Sequence, residues 1–217
     1  MFVITPASAA DVPAAAAVLA SAFSDDPVMG AFVSGRDAHR RLETVFRVLL
    51  RSGALRDGRV DLAPREPGGE ILGATIWERP GQSPSLLLLA RSMPALVGVL
   101  GVRGLVAGVR LGSTLARFRP AEPHWHLTHI GVGPGGRGRG VGSALLSSRL
   151  ARIDDENAAA YLESSNERNR ALYRRHGFAT IALITGVSGA APAAMWRSPS
   201  SVREPRQDGA LSTPPSS

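Results

Sequence analysis

The stretch His129-Ile-Gly-Val-Gly-Pro-Gly-Gly-Arg-Gly-Arg-Gly-Val-Gly-Ser-Ala144 decides the fold of this chain. A strand-like run ends at Val132, glycines follow at 133, 135, 136, 138, 140 and 142, and an apolar-faced helix then carries Val141, Leu145, Leu146, Leu150 and Ile153. Strand, glycine loop and helix N-terminus together form an anion cradle, because unblocked backbone N–H groups and the positive end of the helix dipole face one point. Side chains at those glycines would block the approach. The Walker pattern needs a Gly-Lys-Ser/Thr ending and this chain has no lysine, so a P-loop nucleotidase is excluded. A dinucleotide fold would want the loop near the chain start, whereas here it follows four strand-like segments. What remains is a pyrophosphate loop built on Arg137, Gly140 and Gly142.

Working outward from the loop, residues 2–5 read as a short strand, and Ser8 with Asp11 as a capping box opening a helix through Val12, Ala16, Leu19 and Phe23. Residues 37–52 repeat apolar positions at helical spacing, with Gly53 placed to stop them. Residues 59–63 and 70–78 read as a hairpin across the turn-rich 64–69 segment. Residues 86–118 read as two short helices, interrupted by Pro94 and several glycines, and form an insertion between the third and fourth strands. Strands are expected at 124–132, 158–164, 178–187 and 193–197, with a helix at 167–175. The order describes a mixed α/β (α+β) plan with one central sheet. From residue 198 onward nothing invites burial, so the expected division is a domain at 1–197 and a disordered tail at 198–217.

Composition bounds the chemistry. The chain has 217 residues, enough for one domain with some decoration. With no cysteine, a disulfide scaffold, a thiolate zinc site and a cysteine nucleophile are all excluded. The net charge is +7, yet every basic residue is arginine amid abundant Ala, Gly and Pro, which reads as GC-rich coding. The arginines are dispersed and no aromatic-rich basic stripe accompanies them, so no nucleic-acid partner is expected. The N-terminus lacks a basic flank before an apolar run, and residues 86–109 carry Arg91, Pro94 and Arg103. Neither a signal peptide nor a membrane span is expected, and the reading is a cytoplasmic protein, monomer or homodimer.

Arg137-Gly138-Arg139-Gly140-Val141-Gly142 resembles the Arg/Gln-x-x-Gly-x-Gly/Ala acetyl-CoA signature of the GNAT family of N-acetyltransferases. A second mark of that family is Asn166-Glu-Arg-Asn169-Arg-Ala-Leu-Tyr173-Arg-Arg-His-Gly177-Phe178, spaced in the same order. Within the family the chain resembles the puromycin N-acetyltransferase-like subgroup, at Ala22-Phe23-Ser-Asp-Asp26-Pro27, Arg119-Pro120-Ala-Glu122-Pro123-His-Trp125 and Leu162-Glu163-Ser-Ser. The resemblance implies a GNAT fold: a mixed, mostly antiparallel sheet of six to seven strands flanked by helices. It also implies an acetyl-CoA-dependent N-acetyltransferase acting on a small-molecule amine by direct attack on the thioester. Alternatives are a protein or peptide N-acetyltransferase and a catalytically silent acyl-CoA-binding module.

By the same resemblance, Arg137, Gly138, Arg139, Gly140, Val141, Gly142 and Ser143 hold the pyrophosphate. Ile130, Gly131 and Val132 pair with the pantetheine arm as an added strand. Asn166 and Asn169 belong to the second motif, where Asn166 caps a helix, contacts CoA, or does both. No metal is expected. Tyr173 is the expected general acid, since a neutral phenol with pKa near ~10 can protonate a leaving thiolate at pH 7. An attacking ammonium must first lose a proton, so a base is wanted near the fourth strand. His126 is the first candidate, placed by parity on the same face as Val132, with Glu163 second and Glu122 third. His129 has opposite parity and is expected elsewhere. Phe23, Asp25, Asp26, Trp77, Trp125 and Trp196 are candidate pocket residues, suited to a cationic amine with an apolar body.

Overall fold

The computed structural model describes residues 2–30, 33, 35, 37–55, 59–65, 69–81, 86–187 and 191–202. Its centre is a seven-stranded sheet made of β1 (Thr5–Pro6), β2 (Val60–Pro64), β3 (Ile71–Glu78), β4 (His124–Val132), β5 (Ala159–Ser164), β6 (Ala179–Leu183) and β7 (Ala193–Arg197). The spatial order is β1-β2-β3-β4-β5-β7-β6, and only β4 and β5 run parallel. Helices α1 (Val12–Ala22), α2 (Pro27–Gly30) and α3 (Ala38–Leu49) supply one flank, and α5 (Val141–Asp155) and α6 (Glu167–Arg175) the other. Between β3 and β4 lies α4 (Leu86–Ala116), the expected helical insertion.

Two clusters show why the sheet is covered on both faces. Val12, Ala16 and Leu19 of α1 and Leu42, Val45 and Phe46 of α3 bury against Leu62, Ala74 and Ile76. On the other face Leu146, Leu150 and Ile153 of α5 close over Trp77, Trp125, Leu127 and Leu162, with Tyr173 and Phe178 beside them. One charged pair sits inside this second layer. Arg149 of α5 forks onto Asp61 of β2 at 2.8 and 2.7 Å, with side chains only 4% and 3% exposed. The guanidinium also lies 5.5 Å from the Trp125 ring centre.

Local expectations hold where the signals are chemical. Ser8 N–H donates to the Asp11 carboxylate at 2.8 Å, as a capping box requires. The 31-residue α4 is broken at Gly101, which adopts φ 64°, a left-handed value that glycine tolerates. Pro94 stays within the helix. Several boundaries differ. The first strand is Thr5–Pro6, because Thr5 and Pro6 are the residues that meet Leu62 and Asp61 of β2. Gly53 does not stop the helix after α3: a turn of π-helix continues over Leu50–Ala54 and buries Leu50 completely. Strand β6 ends at Leu183, short of residue 187.

The apolar character of α4 also exceeds the expectation from sequence. An 18-residue window within Ala90–Ala116 has a mean hydropathy of 1.6 with only 6% of it buried, so by length and composition alone this stretch could cross a membrane. The break falls at Gly101, one of the expected glycine interruptions, while Pro94 is carried inside the first of the two helices. Ser200–Val202 form a 3₁₀ turn, and the Ser200 hydroxyl donates to the Asp154 carbonyl at 3.2 Å. The rest of the expected tail, residues 203–217, lies outside the described residues, as do residues 66–68 of the hairpin turn.

Candidate active site

The phosphate loop forms as its glycines demand. Gly138 and Gly140 take φ of +74° and +81°, and a Cβ at either would meet nothing within 4 Å. Gly140 is the N-cap of α5, so the first N–H groups of that helix, at Val141, Gly142 and Ser143, have no intrahelical partner. The first carbonyl bond of the helix comes from Ala144 N–H to Gly140 at 2.9 Å. Gly142 packs toward Leu172 and Val132, where a Cβ would sit 3.6 Å from each. The Arg139 guanidinium donates back to the Gly135 carbonyl at 3.2 Å, clasping the loop, and Arg137 lies beside it, exposed. This open, left-handed cradle of N–H groups fits a pyrophosphate. Replacing Gly140 by valine puts a β-branched residue at a φ it avoids, at a cost of about 1–2 kcal/mol. The expected result is at least a tenfold weaker binding of acetyl-CoA by calorimetry, with the melting temperature of the free protein lower by only a few degrees.

Strand β4 carries the second feature. Ile76 faces His129 while Trp77 faces Leu127, so Thr128 is an extra residue on β4, a β-bulge. The Thr128 hydroxyl donates to the Ile76 carbonyl at 3.0 Å and holds it in place. The bulge reverses the alternation of side chains beyond it. Trp125 and Leu127 face α5 and α6, and so do Ile130 and Val132. His129 instead packs against Phe23 and Phe46, at 5.6 and 5.2 Å between ring centres, and Gly131 lies against Leu19 and Ala22. The parity expectation is therefore wrong for both histidines: His126 and His129 share the face opposite Val132. Straight counting fails because one inserted residue shifts the period-two pattern by a full face.

The ladder to β5 also ends here. Residues His124 to Leu127 pair with Ala159 to Leu162, and beyond them the two parallel strands separate. Ile130, Gly131 and Val132 thus hold β3 on one side and present a free backbone edge on the other. An extended arm can add to such an edge. The residue Gly131 suits this close approach to α1, because a Cβ there would fall 2.8 Å from that of Ala22.

On the shared face His126 is held between two carboxylates. Its Nε2 lies 2.7 Å from Glu163 Oε2 and its Nδ1 3.3 Å from Glu78 Oε2. Burial alone would lower the imidazole, but the two carboxylates outweigh it and raise the pKa above the ordinary 6.5. Glu78 is correspondingly lowered: burial opposes ionisation, and His126 with Arg119, 3.7 Å away, more than compensates. Burial brings His129 down to about 4, with the charge of His126 pushing the same way. Tyr161 stands beside this group, its ring 5.3 Å from that of His126, and burial with the Glu163 charge raises its phenol. A pocket of about 420 Å³ opens on Glu78, Arg119, Glu122 and His126.

Tyr173 lies on the other side of the β4–β5 opening, 5% exposed, its ring 6.2 Å from Phe178. Burial raises its phenol well above the ordinary value, and the Asp26 carboxylate adds to this. Asp26 itself accepts from the N–H groups of Val28 and Met29 at 2.9 and 3.0 Å, starting α2. Asn166 caps α6 by accepting from Asn169 N–H at 2.9 Å. Ser143 is tied to His176 of the α6 C-cap, 2.8 Å from Oγ to Nε2, linking the phosphate loop to the helix that carries Tyr173.

The remaining candidates divide. Trp77 and Trp125 are core residues, 0% and 2% exposed, and the Trp125 indole N–H donates to Glu156 at 2.9 Å. They are sealed in the core, because the alternation of β3 and β4 turns both toward α5. Trp196 stacks edge-on with His124 at 5.4 Å, and Phe23 packs on Phe46. Asp25 is exposed. Sequence reading missed Glu78, Arg119 and His176. Glu78 becomes visible only once the bulged register of β3 and β4 places it opposite His126.

A family model described as the Acetyltransferase (GNAT) family matches residues 61–178. A crystal structure described as histone acetyltransferase HPA2 and related acetyltransferase, from Corynebacterium glutamicum, is 31% identical, with a TM-score of 0.73 over 94% of this chain and 98% of the other. An uncharacterized N-acetyltransferase of Schizosaccharomyces pombe is 26% identical over 182 residues, 78% of this chain and 71% of its own length. The structure of a NatC complex bound to Gag peptide and CoA shares the fold at 13% identity, with a TM-score of 0.53 over 91% of this chain and 98% of that one. A seven-stranded sheet parted between its parallel strands, a glycine cradle at the head of α5 and these matches lead to one statement: the chain belongs to the GNAT family and is an acetyltransferase.

Proposed function

We propose that this protein is an acetyl-CoA-dependent N-acetyltransferase acting on the primary amine of a small molecule, aminonucleoside or antibiotic-like in size, in the cytoplasm. The observation that carries the reading is the placement of His126, held between Glu163 and Glu78, across the β4–β5 opening from Tyr173. Acetyl-CoA, the family's acetyl donor, would bring an activated thioester and depart as the free thiol. Its pyrophosphate suits the N–H groups of residues 141–143, and its pantetheine arm suits the free edge at residues 130–132.

His126 takes the proton that the attacking amine loses as its nitrogen bonds to the acetyl carbon, directly or through one water. Glu163 and Glu78 are positioning residues, which fix the imidazole and stabilise its protonated form. Tyr173 gives a proton to the sulfur as the C–S bond breaks, and its raised pKa keeps it a donor at neutral pH. The backbone N–H groups past the Thr128 bulge would polarise the acetyl carbonyl. The puromycin-acetyltransferase-like stretches at residues 22–27 and 119–125 support a small acceptor, as does the inserted α4, whose Leu96 and Leu100 bury with α3 and whose Leu115 packs by Tyr161.

The test is thiol release from acetyl-CoA across a panel of amines, puromycin included, with histone-tail peptides as the rival acceptors. Turnover on a small amine is expected, and turnover on peptides alone would overturn the proposal. The pH profile supplies a second check. A base must be neutral to act, and the carboxylates raise His126, so kcat/KM is expected to rise with pH through a midpoint above 6.5. Glu163→Gln removes a stabilising charge and is expected to move that midpoint to lower pH. An unmoved midpoint would show that another group titrates.

A further inference from the structure

The second half of α4, which follows the break at Gly101, has one side packed and one side open. On the packed side Leu115 rests on the cluster of Tyr161, Ile184 and Ala194, and Leu111 and Thr114 line the groove shared with α2. On the open side Val102, Val106 and Val109 are 69%, 43% and 63% exposed. Their spacing of four and then three places them on one helical face. Ser113 and Ala116, also exposed, continue that face at the same spacing. Single exposed valines are ordinary, whereas a row of them on one face of a helix is a patch.

The charge beside this patch has one sign. No Asp or Glu occurs between Glu78 and Glu122. Arg103 and Arg110 are exposed, two helical turns apart, and stand about a quarter-turn round the helix from the valines. Arg117, exposed as well, follows seven residues later, just past the helix end. Among the described residues none of these three forms an ion pair. The neighbouring cations are engaged: Arg119 pairs with Glu78, and Arg79 lies over the Trp125 ring. Across the groove, Asp26 accepts the N–H groups that start α2. The outcome is an aliphatic stripe with a row of free guanidinium groups along one flank.

That pattern matches a surface that is apolar within and anionic at its rim. Arginine stems lie along an apolar boundary while their heads reach phosphates outside it. A row of one charge, with no acidic residue interspersed, favours a uniformly anionic surface over a protein partner of mixed charge.

We infer that α4 docks the protein on an anionic lipid bilayer, with Val102, Val106 and Val109 entering the acyl boundary and Arg103, Arg110 and Arg117 meeting the lipid phosphates. The helix lies along the surface and does not span it. Leu96, Leu100 and Leu115 tie its other side to the domain, and Arg41 Nε donates to the Val99 carbonyl at 2.6 Å beside the break. Anionic lipids face the cytoplasm, where the protein is proposed to act. The inference is independent of the acceptor and of the catalytic groups.

The test is sedimentation of the whole chain with vesicles of phosphatidylcholine alone and of phosphatidylcholine with about one-third phosphatidylglycerol. Binding to the anionic vesicles only is expected, and it should be lost in about 1 M salt, where the screening length falls to about 3 Å. R103A/R110A/R117A is expected to bind about a hundredfold more weakly, from the usual attraction of three cations to such a surface. R103K/R110K/R117K should bind like the wild type, because the charge is what the lipid reads. V102S/V106S/V109S is expected to lose about tenfold. All of these side chains are exposed, so thiol release in solution and the melting temperature should stay the same in every variant. Absence of wild-type binding to anionic vesicles overturns the inference, as does equal binding to both kinds. Full binding by the alanine or the serine variant also overturns it, since another surface then meets the lipid. A dimer in ultracentrifugation that the serine variant dissociates, without vesicle binding, assigns the face to a second copy and overturns it too.

Discussion

Tyr173→Phe is expected to lower kcat by about 10²- to 10⁴-fold, the usual contribution of a positioned general acid. The substitution keeps the ring, and with it the packing on Phe178 and the cluster around Leu146 and Leu162. The melting temperature and the KM for acetyl-CoA are therefore expected to change little. The departing thiolate needs a proton because an alkyl thiol is a weak acid, so an acetyl thioester of a more acidic thiol should narrow the gap between variant and wild type. Stopped-flow thiol detection with both donors makes the comparison. A loss below threefold with acetyl-CoA itself would assign Tyr173 to the core alone.

The second large effect falls on stability. Arg149→Met leaves Asp61 3% exposed and without its fork, and breaking a buried ion pair on one side costs about 3–5 kcal/mol. For a chain of this size about 2–4 °C is lost per kcal/mol, so the melting temperature should fall by about 10 °C. Asp61→Leu with Arg149→Met removes both charges and should recover most of the loss, because the pair offsets its own desolvation and adds little beyond that. Calorimetry on the two singles and the double variant closes the cycle. A double variant no more stable than the worse single would mean that the fork itself, with the Trp125 stacking, holds α5 to β2.

The activity and binding predictions separate cleanly in what they measure. Tyr173→Phe acts on kcat, Glu163→Gln on the pH midpoint, and Gly140→Val on donor affinity. Each readout belongs to one piece of the site, so a protein that merely unfolds cannot imitate the set.

What the sequence determined by itself is local. The glycines at 138 and 140 declare a left-handed loop, the apolar spacing after Val141 declares a helix, and Asn166 declares a cap, because each depends on chain neighbours within a few residues. Two such motifs in order also carried the family, and with it the sheet. The tertiary structure decided which side chains meet. The Thr128 bulge is set by pairing with β3, and it alone brought His126 and His129 to one face and Glu78 opposite His126. The same alternation sent Trp77 and Trp125 into the core. The break in α4 fell at Gly101 rather than Pro94, and the helix then laid Arg103 and Arg110 along a groove made with α2. Periodicity counts residues along one strand or helix, whereas a site is made where elements distant in the chain are packed together, and a single inserted residue at such a contact turns every side chain beyond it to the other face.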